Sequence, residues 1–102
     1  MPLRIQPEGG LDRPVVVCDL CGAEITDALD GNYQWVMDAE GRPYPAEVYF
    51  THKRCCHAFE QTNGAVLWGA IGLECLPIFL GTNLRLDWPA AARTAARMAS
   101  LR

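Results

Sequence analysis

The sequence predicts a small α+β fold, with strands in its central part and two helices at its C-terminal end. Three observations lead to this prediction. Two short runs are rich in aromatic and β-branched residues, two pairs of soft metal-ligand residues lie far apart in the chain, and two C-terminal stretches place apolar residues at helical spacing. With 102 residues, half of them apolar, the chain can form one domain with one modest core.

Two residue pairs suited to binding a soft metal ion occur in different parts of the chain. Cys18-x-x-Cys21 follows a β-branched run, and His52-x-x-Cys55 follows an aromatic run. Two such pairs supply the four soft ligands of a tetrahedral structural zinc site. Gly22 directly follows the first pair, and the tight turn of a zinc knuckle often needs the positive φ that glycine adopts without steric cost. The spacing therefore predicts one structural zinc ion per chain.

The segment between the two pairs has the composition of a β-hairpin. Residues 33–37 and 47–50 are rich in aromatic and β-branched side chains, and we predict a strand at each. Residues 38–45 contain one glycine and two prolines, which favour a loop between those strands. A helix is predicted to begin at His52. On that helix His52 and Cys55 share one face, because they are three positions apart, and both can reach one metal ion.

The order of knuckle, hairpin and helix over residues 15–62 resembles that of treble-clef zinc fingers. The ligand string resembles the first half-site of a LIM domain, although the interval between the pairs is longer here and no second cysteine-rich half-site follows. The resemblance implies a small α+β fold in which a zinc-bound treble clef precedes two C-terminal helices. It implies that the zinc ligands are Cys18, Cys21, His52 and Cys55.

Other interpretations of the cysteines stay open at this point. A C-x-x-C pair can be a redox dithiol, but that motif opens a helix, and residues 22–27 do not have a helical pattern. Unligated cysteines are a third interpretation. Five cysteines are an odd number, which argues against a closed disulfide framework, and no signal peptide precedes them. A reducing cytoplasm is the expected compartment.

Cys56 and His57 lie beside the second pair and compete with it as ligands. If Cys55 faces the metal, Cys56 points about 100° away around a helix and His57 about 200°. Cys56 is therefore expected to be buried or half-buried and His57 exposed, with His57 in place of His52 as the alternative ligand. Cys75 lies in an apolar run and is expected in the core.

We divide the chain into a flexible N-terminal arm (residues 1–14), a treble-clef zinc-binding region (15–63) and a helical C-terminal extension packed on it (64–102). The extension begins either with an extended lead-in at residues 65–70 or with helix. A helix over residues 72–83 and another starting at an Asp87 N-cap are predicted from spacing and capping. The last helix has one stripe, which is expected to pack on the preceding helix or on a second copy of the chain: Trp88, Ala92, Ala95 and Ala99.

These features favour a zinc-binding interaction module that holds another protein or a second copy of itself. One alternative is a nucleic-acid-binding regulator that uses Arg93 and Arg97, although the chain is acidic with a net charge of −3. A second alternative is a thiol-based redox or metal sensor. An enzyme is not expected, because four protein ligands leave no open position on the metal. No membrane partner is expected, because glycines and a proline interrupt the apolar run at residues 65–80.

Overall fold

The computed structural model describes residues 3–8, 11–43, 47–64 and 67–100. Two three-stranded antiparallel sheets and three α-helices make up this part of the chain. The first sheet has the order β1-β2-β3, with strands Leu3–Glu8, Leu11–Val17 and Glu24–Ile25. The second has the order β5-β4-β6, with β4 at Gly31–Met37, β5 at Tyr49–His52 and β6 at Leu67–Gly72. The helices are α1 (Cys56–Asn63), α2 (Leu76–Asn83) and α3 (Trp88–Ser100).

Two paired strands lie where the sequence predicts a flexible arm over residues 1–14, of which residues 1–2 and 9–10 are outside the described part. Strands β1 and β2 pair in antiparallel register from Leu3↔Val16 to Glu8↔Leu11. Leu3 and Ile5, which share one face of β1, are 56% and 62% exposed, so that part of the strand lies outside the core. Apolar and polar residues alternate over Leu3-Arg4-Ile5-Gln6, which is the period of a strand. The prediction missed this alternation because the run is short and is interrupted by Pro7.

The main core lies between the second sheet and the segment that carries the cysteine knuckle. Its buried cluster joins β3, β4 and β5 to the turns before α1 and α2, and it consists of Cys18, Ile25, Tyr33, Phe50, Cys55 and Leu73. Gly31 allows this packing, because a Cβ at that position would approach Ile25 and Leu73 to 2.9 and 3.0 Å. Two members of the cluster are cysteines of the predicted site, so the site and the core form one unit.

Helix α1 is held to the second sheet by an aromatic cluster. Phe59, which is buried, lies 5.4 Å from both Tyr49 on β5 and Trp68 on β6, measured between ring centroids. Such tilted and edge-on ring contacts contribute about 0.5–1.5 kcal/mol each beyond area burial. Helix α1 is thereby fixed across two strands of one sheet, and the turn that precedes it is fixed with it.

The described residues contain two copies of a strand–turn–helix unit, one on each side of β4. The first unit is β5, a 3₁₀ turn at Lys53–Cys55 and α1; the second is β6, a 3₁₀ turn at Leu73–Cys75 and α2. Turns and helices of the two units have equal lengths and coincide after a shift of 20 residues. Four pairs are identical at that shift: Cys55 and Cys75, Phe59 and Phe79, Thr62 and Thr82, Asn63 and Asn83. Gly72 stands where the first unit has His52, so the second unit has no histidine–cysteine pair.

The C-terminal segment contains the two predicted helices, and most of the stripe on the last one is not covered by the described part of the chain. Residues 67–72 form β6, which matches the extended alternative, and α2 starts after the 3₁₀ turn, later than predicted. Asp87 caps α3 by accepting a hydrogen bond from the backbone N–H of Ala90 at 3.0 Å. The ring of Trp88 covers Gly81 of α2, but residues 92–99 are exposed. The predicted stripe therefore packs on α2 only at its first residue.

None of the helices within the described residues is long and apolar enough to cross a membrane.

Candidate metal centre

The first ligand pair lies in a tight turn that follows β2. The backbone N–H of Cys18 donates to the carbonyl of Ala23 at 2.9 Å, and the N–H of Gly22 donates to the carbonyl of Cys18 at 3.0 Å. Gly22 has a φ of 77°, in the left-handed region that glycine occupies at no steric cost. The predicted need for glycine after the second cysteine is confirmed. The turn brings the sulfurs of Cys18 and Cys21 to the same side.

The second ligand pair lies at the junction of β5 and the turn before α1. His52 is the last residue of β5 and has an extended backbone, with φ −60° and ψ 149°. Cys55 ends the 3₁₀ turn at Lys53–Cys55, and α1 starts one residue later. The prediction that His52 opens the helix is therefore corrected by a few residues. A 3₁₀ turn has three residues per turn, so it also places His52 and Cys55 on one side.

The two pairs come together into one cluster. The ligand atoms of Cys18, Cys21, His52 and Cys55 all lie within 4.8 Å of one another. Cys21 Sγ and His52 Nδ1 are 3.4 Å apart. Zn–S and Zn–N bonds of about 2.3 and 2.0 Å at tetrahedral angles imply an S···N distance of about 3.5 Å. That pair of atoms is thus already at the spacing of one tetrahedral edge, with Nδ1 as the imidazole atom that faces the sulfurs.

Burial and charge around the sulfurs favour a bound cation. Burial raises the pKa of Cys18, but the backbone amides of Cys21, His52 and Leu20 donate toward its sulfur and bring the pKa down from 9.0 to about 6. Burial, together with the neighbouring sulfurs of Cys18 and Cys21, raises the pKa of Cys55 from 9.0 to about 11. A divalent ion would supply the opposite charge that these sulfurs lack, and Cys55 would release its proton on binding.

The competing residues point elsewhere. Cys56 is half-buried, and its Sγ lies 3.3 Å from Glu60 Oε2 on α1. His57 is exposed, as expected for a position about 200° around the helix. Cys75, in the turn before α2, is half-buried near Tyr33 of β4. It forms no part of the cluster of ligand atoms. Arg93 and Arg97, the predicted contacts for nucleic acid, are exposed on α3.

We expect His52→Ala to release most of the bound zinc and His57→Ala to retain it. Only His52 offers a ring nitrogen to the three sulfurs, whereas His57 is exposed on α1. Elemental analysis of the two variants, purified in parallel without chelator, measures the difference. Retention by His52→Ala with loss in His57→Ala would mean that the histidine ligand comes from the helix and not from β5.

Two residues near the cluster escaped the sequence-based reasoning. Asp19, inside the first pair, and Gln34, on β4, form hydrogen bonds to β5, the strand that ends in His52. Asp19 lies between two predicted ligands, but its hydrogen-bond partner Phe50 is 31 positions away, and no spacing rule identifies such a partner. Comparisons with protein-family models, with curated proteins and with solved structures find no match. The assignment of the site rests on its own residues and their geometry.

Proposed function

We propose that this chain is a zinc-stabilised interaction module with one structural zinc ion held by Cys18, Cys21, His52 and Cys55. The observation that supports it is the approach of four soft ligand atoms from two distant pairs to within 4.8 Å. The knuckle, the antiparallel β4–β5 pair and α1 follow one another in an order similar to that of a treble clef, with β3 between the knuckle and β4. A metal that ties the knuckle to β5 and α1 would add its binding free energy to a small core.

A structural role fits this donor set better than a catalytic or redox role. A catalytic zinc keeps a position open for water, whereas four protein ligands fill the tetrahedron. Three of the four residues are buried, and Cys21 alone is exposed. Burial shields the sulfurs of Cys18 and Cys55 from oxidants, which disfavours the thiol-sensor alternative.

The surface that would bind a partner is the exposed side of α2 and the start of α3. Residues 76–80 of α2 are apolar on every side of the helix, and a helix of that kind is normally buried. Several of the side chains here are exposed to solvent: Ile78 (58%), Phe79 (49%), Leu80 (47%), Leu84 (75%) and Trp88 (50%). An accumulation of exposed apolar side chains on neighbouring segments of the chain is typical of protein contact sites. Binding of another protein or of a second copy of the chain would cover it.

The repeat of the strand–turn–helix unit supports this assignment of the surface. Phe59 of the first unit packs against two aromatic rings of the sheet and is 4% exposed, whereas its counterpart Phe79 is 49% exposed. Among the described residues, Phe79 has none of the aromatic ring contacts that cover Phe59, its counterpart in the first unit. A phenylalanine of this kind contributes most of its transfer free energy, about 1.5–3 kcal/mol, only when it is buried.

Native mass spectrometry of the protein, purified without chelator, tests both parts of the proposal. We expect the mass of one zinc ion per chain, and complexes larger than a single chain at micromolar concentration. Phe79→Glu is expected to remove the larger complexes and keep the zinc, because a charge on the apolar surface opposes burial. A metal-free mass would contradict the zinc site, and a zinc-bound single chain with no co-purifying protein would contradict the role of the α2–α3 surface.

A further inference from the structure

The outer edge of β5 is paired with the cysteine knuckle, and none of the described strands lies beside it. The inner edge of β5 pairs with β4, which leaves alternate backbone groups at Phe50 and His52 directed outward. The N–H of Phe50 donates to Asp19 Oδ2 at 2.8 Å, and the N–H of Asp19 donates to the carbonyl of Phe50 at 2.7 Å. The N–H of His52 lies 3.4 Å from Cys18 Sγ and donates to it. Cys18 and Asp19 of the knuckle therefore form hydrogen bonds with outward-directed backbone groups of His52 and Phe50 on β5.

We infer that Asp19 is a positioning residue that aligns the two ligand pairs for the metal. This inference rests on the proposed zinc site and adds to it the element that sets its geometry. The pair at Cys18 and Cys21 belongs to the loop after β2, and the pair at His52 and Cys55 belongs to the end of β5. Asp19 connects these two segments by its hydrogen bonds to Phe50, which lies two residues before His52. Its two hydrogen bonds to Phe50 fix how far along β5 the knuckle sits.

The Asp19 carboxylate acts by placing a hydrogen-bond acceptor at the N–H of Phe50, and not by its negative charge. Three thiolates and one histidine around a divalent zinc carry a net charge of about −1, so a further negative charge nearby is repelled. Asp19 Oδ2 is occupied by the N–H of Phe50, and Asp19 does not belong to the cluster of ligand atoms. An asparagine has the same acceptor geometry without the charge. A glutamate keeps the charge but moves the oxygens by one methylene group.

The size of the effect follows from the exposure of the site. Loss of a hydrogen bond to a metal ligand itself typically lowers metal affinity by about 10–100-fold. Asp19 bonds to Phe50, two residues before the ligand His52, and therefore acts less directly. Asp19 is exposed, and water can take over the side-chain hydrogen bond to Phe50. The bond from the backbone N–H of Asp19 to the carbonyl of Phe50 does not depend on the side chain and remains available in every variant. The expected loss of zinc affinity in Asp19→Ala is therefore at the lower end, about tenfold.

The test compares zinc affinity in four variants of the full chain by competition with a chromophoric chelator. We expect Asp19→Ala and Asp19→Glu to bind zinc about tenfold more weakly than the native chain, and Asp19→Asn to bind with native affinity. Asp38→Ala is the matched control, because Asp38 Oδ1 accepts backbone N–H bonds from Glu40 and Arg42 after β4, outside the cluster. It is expected to leave zinc affinity unchanged.

The absorption spectrum of bound cobalt(II) separates positioning from general stability. A change in the ligand geometry alters the intensity of the cobalt d–d bands, whereas a loss of stability elsewhere does not. We expect altered bands in Asp19→Glu and native bands in Asp19→Asn and Asp38→Ala. The comparison of Asp19→Glu with Asp19→Asn tests the inference even if Asp19→Ala fails to fold.

Three results would overturn the inference while leaving the zinc site in place. The first is native zinc affinity in both Asp19→Ala and Asp19→Glu. The second is weak zinc binding by Asp19→Asn together with native binding by Asp19→Glu. The third is an equal loss of zinc affinity in Asp38→Ala and Asp19→Ala. Failure of the native chain itself to bind zinc would instead refute the proposed function.

Discussion

Cys55→Ser is expected to leave little folded protein, and Cys18→Ser is expected to do the same. Both sulfurs are buried in the core cluster as well as in the candidate metal centre. Structural zinc contributes apparent binding free energies of about 10–16 kcal/mol at pH 7. The whole free energy of unfolding of a typical domain is only about 5–15 kcal/mol. Loss of the metal therefore removes as much free energy as such a small fold has. Far-UV circular dichroism and a thermal melt at equal protein concentration measure the result.

Cys75→Ser and Cys56→Ser are the matched controls for that prediction. Both residues are half-buried free thiols outside the cluster of ligand atoms. We expect both variants to retain a cooperative melt and one zinc ion per chain. A cooperative, native-like melt of Cys55→Ser in the presence of a strong chelator would contradict the idea that the metal supports the fold.

Gln34→Ala is expected to lower the free energy of unfolding by about 1–3 kcal/mol. Gln34 is fully buried on β4, where its amide group joins two other elements. Its Oε1 accepts from Thr51 Oγ1 on β5 at 2.5 Å, and its Nε2 donates to Glu60 Oε2 on α1 at 2.8 Å. Removal of the amide leaves a fully buried hydroxyl without this acceptor and a carboxylate without this donor. Urea denaturation with an unchanged m-value measures the loss.

Gln61→Ala on the exposed side of α1 is the control for Gln34→Ala, because it makes the same chemical change without burial. Its effect is expected to stay within about 0.5 kcal/mol. Zinc stoichiometry should be unchanged in both variants, since neither residue offers an atom to the metal. Equal stability of Gln34→Ala and the native chain would show that the buried amide adds nothing to the packing of α1 on the sheet.

Local chemistry made part of this protein predictable. The candidate ligands are two pairs with a spacing of three, and a tight turn or a 3₁₀ turn brings such pairs to one side without any long-range information. Gly22 was predictable because positive φ in a knuckle is a local steric demand. Asp87 was predictable because a helix N-cap depends on hydrogen bonds to the next few residues.

The places where prediction differed from the structure involve pairing between distant residues. Strand β1 pairs with β2 while Leu3 and Ile5 stay exposed, and its short alternating run was not recognised as a strand before that partner was known. Asp19 forms a hydrogen bond with a residue on β5 that lies 31 positions away in the chain, and Gln34 forms one with a residue on β5 that lies 17 positions away. Only the folded arrangement of strands determines such partners.

The sequence by itself determined which residues can bind a metal, because ligand chemistry and turn geometry act over three or four residues. The tertiary structure decided that the two pairs meet, since His52 approaches the knuckle only where β5 lies between β4 and the knuckle. It also decided that residues 92–99 of α3 stay exposed although their pattern is that of a packed helix. An amphipathic pattern specifies a face to bury, but the position of the neighbouring elements determines whether the chain itself covers that face.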